Sequence, residues 1–298
     1  MLVVVAGATG LVGSAITAAL LEGGHDVIAM SRSRSARLDP RAQWVAGDVT
    51  KPTTLSEALN AADVVVDAVQ FPNSPIENPA KGYTFKAIDL EGTKNLADAA
   101  VAARVHQYID IRANGAGEDS PYHWCRYKWQ EEQHVMASGM PYTIFRPTWI
   151  FGPGDVSLNR FLNFGKFLPF IPVIGNGQTR TNILFLGDLA AHVCASVGKP
   201  DAMNQTFDIG GPKVLTMDQI VRAGLKAQGR RRLLIHQSKA LMKLVGSIVQ
   251  HFPGRPLTPD AIDFITMEGV ADTTALQRTF GLPLTPLAEG LATYLSQR

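Results

Sequence analysis

An α/β fold built on a doubly wound parallel sheet is predicted by three observations in this chain of 298 residues. Short β-branched apolar runs alternate with helix-patterned segments through residues 1–150. The first such run stops at a glycine-rich turn that leads directly into a helix pattern. After residue 150 the alternation gives way to a stretch dense in Phe, Pro and Gly, followed by helical patterns. Strands alternating with helices need crossover connections, which make the strands parallel and cover both sheet faces.

The chain opens on Leu2-Val3-Val4-Val5-Ala6 and turns at Gly7-Ala8-Thr9-Gly10-Leu11-Val12-Gly13. A helix with Ala15, Ile16, Ala19 and Leu20 on one face follows and stops at Gly23-Gly24. Gly7 permits a tight turn, Gly10 removes a side chain where backbone approaches a ligand, and Gly13 lets helix and strand pack closely. The helix N–H groups and its positive dipole end then face an anion. The expectation is a Rossmann sheet with a dinucleotide pyrophosphate held by Gly7, Thr9, Gly10, Leu11, Val12 and Gly13.

The second strand, residues 26–30, ends at Ser31-Arg32-Ser33-Arg34, with Arg37 beyond. An NAD site would place Asp or Glu here to hold the ribose hydroxyls. Hydroxyls and guanidinium groups instead suit a 2′-phosphate, so Ser31, Arg32 and Arg34 favour NADP over NAD. The third strand, 43–47, leads to Asp48-Val49, expected beside the adenine, and a helix over 53–60 follows. The fourth strand, 63–67, ends at Ala68-Val69, small enough for the ribose and phosphates to pass. A long helix over 85–103, a fifth strand over 107–111, a helix over 121–138 and a sixth strand over 142–145 complete the first half.

Residues 1–150 are thus expected to bind the dinucleotide, with segments near 178–210 returning to the same sheet. Residues 151–177 and 211–298 are expected to form a smaller, mostly helical substrate lobe. The apolar segment 161–174 is expected to line its pocket. Residues 239–252 read as an amphipathic helix packed on its own domain, with peripheral membrane contact as the lesser alternative.

Composition narrows the functions. The chain has 46% apolar residues, enough for a core without disulfides, and a net charge of +2. Its one basic cluster is Arg230-Arg231-Arg232, which argues against nucleic acid as a partner. Cys125 and Cys194 lie far apart without metal or redox spacing, so a reduced, cytoplasmic protein without a metal is expected. The opening apolar run lacks a basic leader and breaks at Gly7, unlike a signal peptide, and no apolar stretch is long enough to span a membrane.

The chain resembles the short-chain dehydrogenase/reductase superfamily, in its extended or atypical form. The resemblance rests on the Gly7, Gly10, Gly13 spacing, Asp48-Val49, Gly92-Thr93-Lys94-Asn95-Leu96, Arg146-Pro147, Phe151-Gly152-Pro153-Gly154, Gly175-Asn176-Gly177 and Gly187-Asp188-Leu189-Ala190. It is similar to NmrA-like proteins and to the nucleotide-binding accessory subunit of respiratory complex I. The resemblance implies catalysis by Ser, Tyr and Lys, with Tyr four residues before Lys on one helix face.

Lys128 fits the lysine position, and Pro147, in the segment entering the substrate lobe, is expected among the cofactor-binding residues. Four residues before Lys128, however, stands Trp124, whose indole has no ionisable proton in range. Tyr127 points about 100° away from Lys128 around the helix, and Tyr122 pairs only with Arg126 in a shifted register. The serine position reads Asp110-Ile111-Arg112-Ala113-Asn114. Lys128 serves as proton donor only if burial lowers its pKa; otherwise it binds the ribose. Arg112 is a candidate to polarise a substrate. These residues predict an NADP-dependent oxidoreductase of atypical mechanism acting on a hydrophobic small molecule, as monomer or homodimer. The alternative is a non-catalytic NADPH-binding sensor or assembly protein.

Overall fold

The computed structural model describes residues 1–36, 38–72, 74–252 and 257–295; Arg37 and the side chains of Arg160, Phe161 and Phe164 lie outside the described residues. In chain order the first half comprises β1 (Leu2–Ala6), α1 (Leu11–Glu22), β2 (Asp26–Ser31), β3 (Gln43–Ala46), α2 (Ser56–Leu59), β4 (Val64–Asp67), α3 (Glu91–Ala102), β5 (Gln107–Ile111), α4 (His123–Ala137) and β6 (Tyr142–Pro147). The second half comprises β7 (Ile150–Phe151), α5 (Ser157–Phe167), β8 (Phe170–Ile174), β9 (Arg180–Thr181), β10 (Leu184–Phe185), α6 (Leu186–Ser196), β11 (Gln205–Ile209), β12 (Leu215–Thr216), α7 (Met217–Ala227), β13 (Leu233–Gln237), α8 (Lys239–Val249), α9 (Pro259–Thr266), α10 (Thr274–Phe280) and α11 (Leu287–Leu295).

Seven strands form one sheet in the order β11-β6-β5-β4-β1-β2-β3, every neighbouring pair parallel. Strand order reverses between β1 and β4, where ligands bind in sheets of this class. Strand side chains alternate between two cores. Val3, Val5, Val64 and Val66 pack with Ile16, Leu20 and Val193 of α1 and α6. Val4, Ala6, Val65 and Tyr108 pack with Leu96 and Val135 of α3 and α4. A third core, including Leu158, Leu162, Ile171, Val173, Ile220 and Leu291, belongs to the lobe.

Several elements depart from the sequence expectation. The helix expected over 53–60 is a 3₁₀ turn, Pro52–Thr54, and the single-turn α2. Residues 85–103 begin as a π-helical segment, Phe85–Leu90, whose wide turn buries Phe85, Ile88, Asp89 and Leu90 before α3 starts. Of the segments near 178–210 expected to return to the central sheet, β9 and β10 instead join two different two-stranded sheets, and only β11 enters the seven-stranded one. Leu162, Ile171 and Val173 of the expected pocket wall are instead lobe core. α8 is also a correction: Gly246 is buried against Thr258 and Pro259, but Leu241, Leu244 and Ile248 are each more than half exposed. The helix lies against α9, but among the described residues most of its apolar face is left uncovered.

Candidate functional site

The glycine turn closes at the sheet's reversal point. Gly7 has φ +76°, and a Cβ there would come 2.6 Å from the Ala68 carbonyl oxygen at the end of β4. A Cβ on Gly13 would come 2.3 Å from the Gly7 carbonyl oxygen. Both are impossible approaches, so the turn closes only around glycine. Gly10 caps α1 in extended conformation without a side-chain hydrogen bond. The first N–H groups of the helix therefore stay available to an anion.

The expected contacts with the rest of the dinucleotide lie along neighbouring strand ends. The Ser31 hydroxyl is already engaged: it donates to the Ser33 carbonyl at 2.9 Å and accepts from the Trp44 indole N–H at 3.0 Å. Arg32 and Arg34 are exposed, and the Arg32 guanidinium lies 5.7 Å from the centre of the Tyr83 ring. Asp48 Oδ1 accepts from the backbone and hydroxyl of Thr50, at 3.0 and 2.7 Å. Val49 is buried against Gly92, and its carbonyl accepts from Asn95 at 2.8 Å. Ala68 and Val69 are half-buried, with the Val69 N–H donating to Asp67 at 3.0 Å. Pro147 ends β6 in a buried position.

At the carboxyl ends of β4 and β5 the sequence reading missed a buried ionic network. The Lys128 ammonium donates to Asp89 at 2.9 Å and lies 3.5 Å from Glu131. Arg112 is turned inward, its side chain shielded from solvent, and it donates to Asp110 at 2.8 Å, Asp67 at 2.6 Å and Thr93 at 2.9 Å. Glu131 approaches its Nε at 3.0 Å, and Tyr108 donates its phenol to Asp67 at 3.0 Å. The Asp89 position depends on the π-helical segment, and its other oxygen accepts from the Phe71 N–H at 2.9 Å.

Four carboxyl groups (Asp67, Asp89, Asp110 and Glu131) thus share two cations, Arg112 and Lys128. Burial pushes Asp89 and Asp110 above the ordinary carboxylate range and Glu131 up to about 7, against the pull of the two cations. For Lys128, burial alone would lower the pKa, but Asp89 and Glu131 outweigh it and hold the ammonium above its usual value. The condition for a lysine proton donor is not met. Arg112 is fully buried and its guanidinium is engaged by Asp67, Asp110 and Glu131.

The tyrosine position is equally changed. Trp124 is buried and stacks on Tyr122, ring centres 4.9 Å apart, with Phe85 at 6.1 Å and Phe264 of α9 at 6.4 Å. Tyr122 precedes α4, and its shifted partner Arg126 donates instead to the Ser120 carbonyl at 2.6 Å. Tyr127 packs edge-on against His123, which lies 3.5 Å from Glu77. Neither phenol is hydrogen-bonded to Lys128. Among the described residues no cluster of His, Cys, Asp or Glu is arranged to hold a metal. The network left a faint trace in the sequence, since Asp110 is a charged residue on a strand otherwise destined for burial and Arg112 follows directly after it.

Residues 7–159 match a family described as NAD(P)H-binding, about half the chain. The chain belongs to this NAD(P)H-binding family. Its relatives place it with the atypical short-chain dehydrogenases/reductases. It is 28% identical over 222 residues to NADH dehydrogenase (ubiquinone) 1 alpha subcomplex subunit 9, mitochondrial, of Arabidopsis thaliana, covering 72% of this chain and 54% of that one. The chain thus spans about half the length of that relative. It is 25% identical over 252 residues to the NAD(P)H azoreductase of Xenophilus azovorans, covering 82% of each. In fold it is similar to the Citrobacter triphenylmethane reductase, with TM-score 0.75, 20% identity and complete coverage of both chains. No helix among the described residues is long and apolar enough to cross a membrane.

Proposed function

We propose that this NAD(P)H-binding protein holds NADP(H) on the glycine turn and transfers hydride to electron-poor, hydrophobic acceptors that need no acid from the protein. One observation carries the reading: a closed glycine turn coexists with Trp124 and an ion-paired Lys128 where the superfamily's proton relay would stand. Hydride delivered to a simple ketone produces an alkoxide that must be protonated or stabilised at once. A quinone, an azo group or a triarylmethane cation instead spreads the incoming electron pair over a conjugated system. Such an acceptor takes the hydride, the nicotinamide becomes oxidised, and any proton required comes from water. The azo and triphenylmethane acceptors for which those two relatives are named support this class.

In this reading Gly7, Thr9, Gly10, Leu11, Val12 and Gly13 hold the pyrophosphate, and Asp48 and Val49 flank the adenine. Ala68, Val69 and Pro147 line the path to the nicotinamide. With Ser31 engaged internally, the 2′-phosphate falls to Arg32 and Arg34. Lys128 keeps N–H capacity beyond its two carboxylates for a ribose hydroxyl. The two free thiols, Cys125 and Cys194, suit a reducing cytoplasm, and a monomer or homodimer suffices.

The aromatic packing of Trp124 with Phe85, Tyr122 and Phe264 favours a second reading, a non-catalytic NADPH-binding sensor or assembly protein. One assay separates the two. Loss of reduced-nicotinamide absorbance is followed with quinones, azo dyes, triarylmethane dyes and simple ketones. Turnover of the conjugated acceptors without the ketones is expected. NADPH binding with no turnover of any acceptor replaces the first reading by the second. The arginines are tested by titration: the Arg32→Ala, Arg34→Ala double variant is expected to bind NADPH about tenfold or more weakly while NADH binding changes little.

A further inference from the structure

The lobe holds a cavity of about 570 Å³ that shares no residue with the glycine turn or the Lys128 network. Its walls include Asp155, Asn159, Lys166, Gln228, Arg230 and Tyr294, supplied by the β7–α5 connection, α5, the segment after α7, and α11. The volume lies in the small-ligand range of roughly 300–1,000 Å³. Its chemistry is unlike a packing defect, because engineered and natural empty cavities are apolar.

Three polar atoms on residues of this wall are shut off from solvent and, among the described residues, have no hydrogen-bond partner: Gln228 Oε1, Arg230 Nη1 and the Tyr294 hydroxyl. Such atoms are exceptions in folded proteins; here three of them, from two separate stretches of chain, surround one cavity. Burial and the nearby Asp155 push the Tyr294 phenol up to about 12, so it keeps its proton and donates. Arg230 also donates, whereas Gln228 Oε1 accepts. Lys166, at the exposed rim, and the half-buried Arg230 have no ion-pair partner among the described residues. The one acid in the wall is already engaged: Asp155 accepts from the Ser157 N–H and hydroxyl, each at 2.7 Å, and from the Leu158 N–H at 2.9 Å. The cavity therefore presents two unpaired cations, a phenol donor and an amide acceptor.

We propose that this cavity is a second ligand site, for a small hydroxylated anion such as a phosphorylated or carboxylated polyol. The anionic oxygens accept from Arg230, Lys166 and Tyr294, and a ligand hydroxyl donates to Gln228 Oε1. The site stands apart from the dinucleotide reading and does not depend on it.

Thermal melting of the full chain tests it with about 10 mM glycerol 3-phosphate, glycerate, inorganic phosphate or neutral glycerol. A rise of about 2 °C or more with glycerol 3-phosphate or glycerate, and none with glycerol, is expected; which anion acts names the head group. Tyr294→Phe and Arg230→Gln should each weaken the effective ligand about tenfold or more. Tyr294→Phe should also melt, without ligand, no lower than the parent chain, because the hydroxyl it removes has no partner. A purely structural tyrosine would not give this opposition. No rise with either anionic polyol overturns the proposal. So does a rise that persists in both variants, which would belong to the glycine turn or to Arg32 and Arg34.

Discussion

Gly13 and Glu131 carry the sharpest consequences at the scale of single residues. A methyl group at position 13 would sit 2.3 Å from the Gly7 carbonyl oxygen, so Gly13→Ala must displace either the turn or the helix. The expected result is loss of NADPH binding together with destabilisation of about 1–3 kcal/mol, read by titration and chemical denaturation. Glu131 titrates at about 7 in the fold against an ordinary 4.5. Between those values the folded chain holds a proton that the unfolded chain has released. Stability from this residue is therefore complete below about pH 4.5 and is lost as pH rises to about 7. His192 works the other way: burial lowers its pKa, so it costs stability as pH falls through its ordinary 6.5. Comparison with Glu131→Gln isolates the carboxyl. The stability difference between about pH 5 and pH 8 should shift in favour of pH 8 in the variant, and an unchanged difference would contradict the assignment.

At the scale of elements, β5 and α4 do what neither does alone. Asp110 of β5 and Arg112 just past its end form one ion pair, and Glu131 of α4, one turn past Lys128, meets Arg112. Removing the shared cation leaves Asp67, Asp110 and Glu131 facing one another without solvent. Arg112→Met is therefore expected to destabilise by about 3–5 kcal/mol in urea unfolding. α8 offers the contrast. Its exposed apolar face contributes little burial, so the Leu244→Ser, Ile248→Ser double variant should change stability by less than about 0.5 kcal/mol.

These two elements also mark what sequence can and cannot reveal. The glycine turn, the strand sequence and the missing tyrosine were legible because each is a local pattern of residue types. The fate of Lys128 was not, since Asp89 reaches it only through a π-helical turn whose residues read as ordinary helix. The exposed side of α8 was hidden for a related reason: periodicity reveals an apolar face but not whether anything covers it.

At the scale of the whole molecule, the dinucleotide reading predicts that ligand and fold are linked. A chain bound to NADPH at about 100 times its dissociation constant gains roughly 2.7 kcal/mol, and melting should rise with NADPH concentration. NADH should require higher concentrations for the same rise if Arg32 and Arg34 grip the extra phosphate. A melting temperature indifferent to both nucleotides would remove the basis of the functional proposal.

The edge strand β11 has one more consequence. It pairs with β6 although 57 residues, including α5, α6 and the β7–β10 pair, separate Pro147 from Gln205. During synthesis the sheet stays unfinished until the ribosome has delivered residue 209, and until then the backbone of β6 is an open template for foreign strands. A fragment cut at residue 150 would inherit that raw edge permanently, lose the α6 cover over α1, and be expected to precipitate rather than to behave as an autonomous cofactor-binding unit.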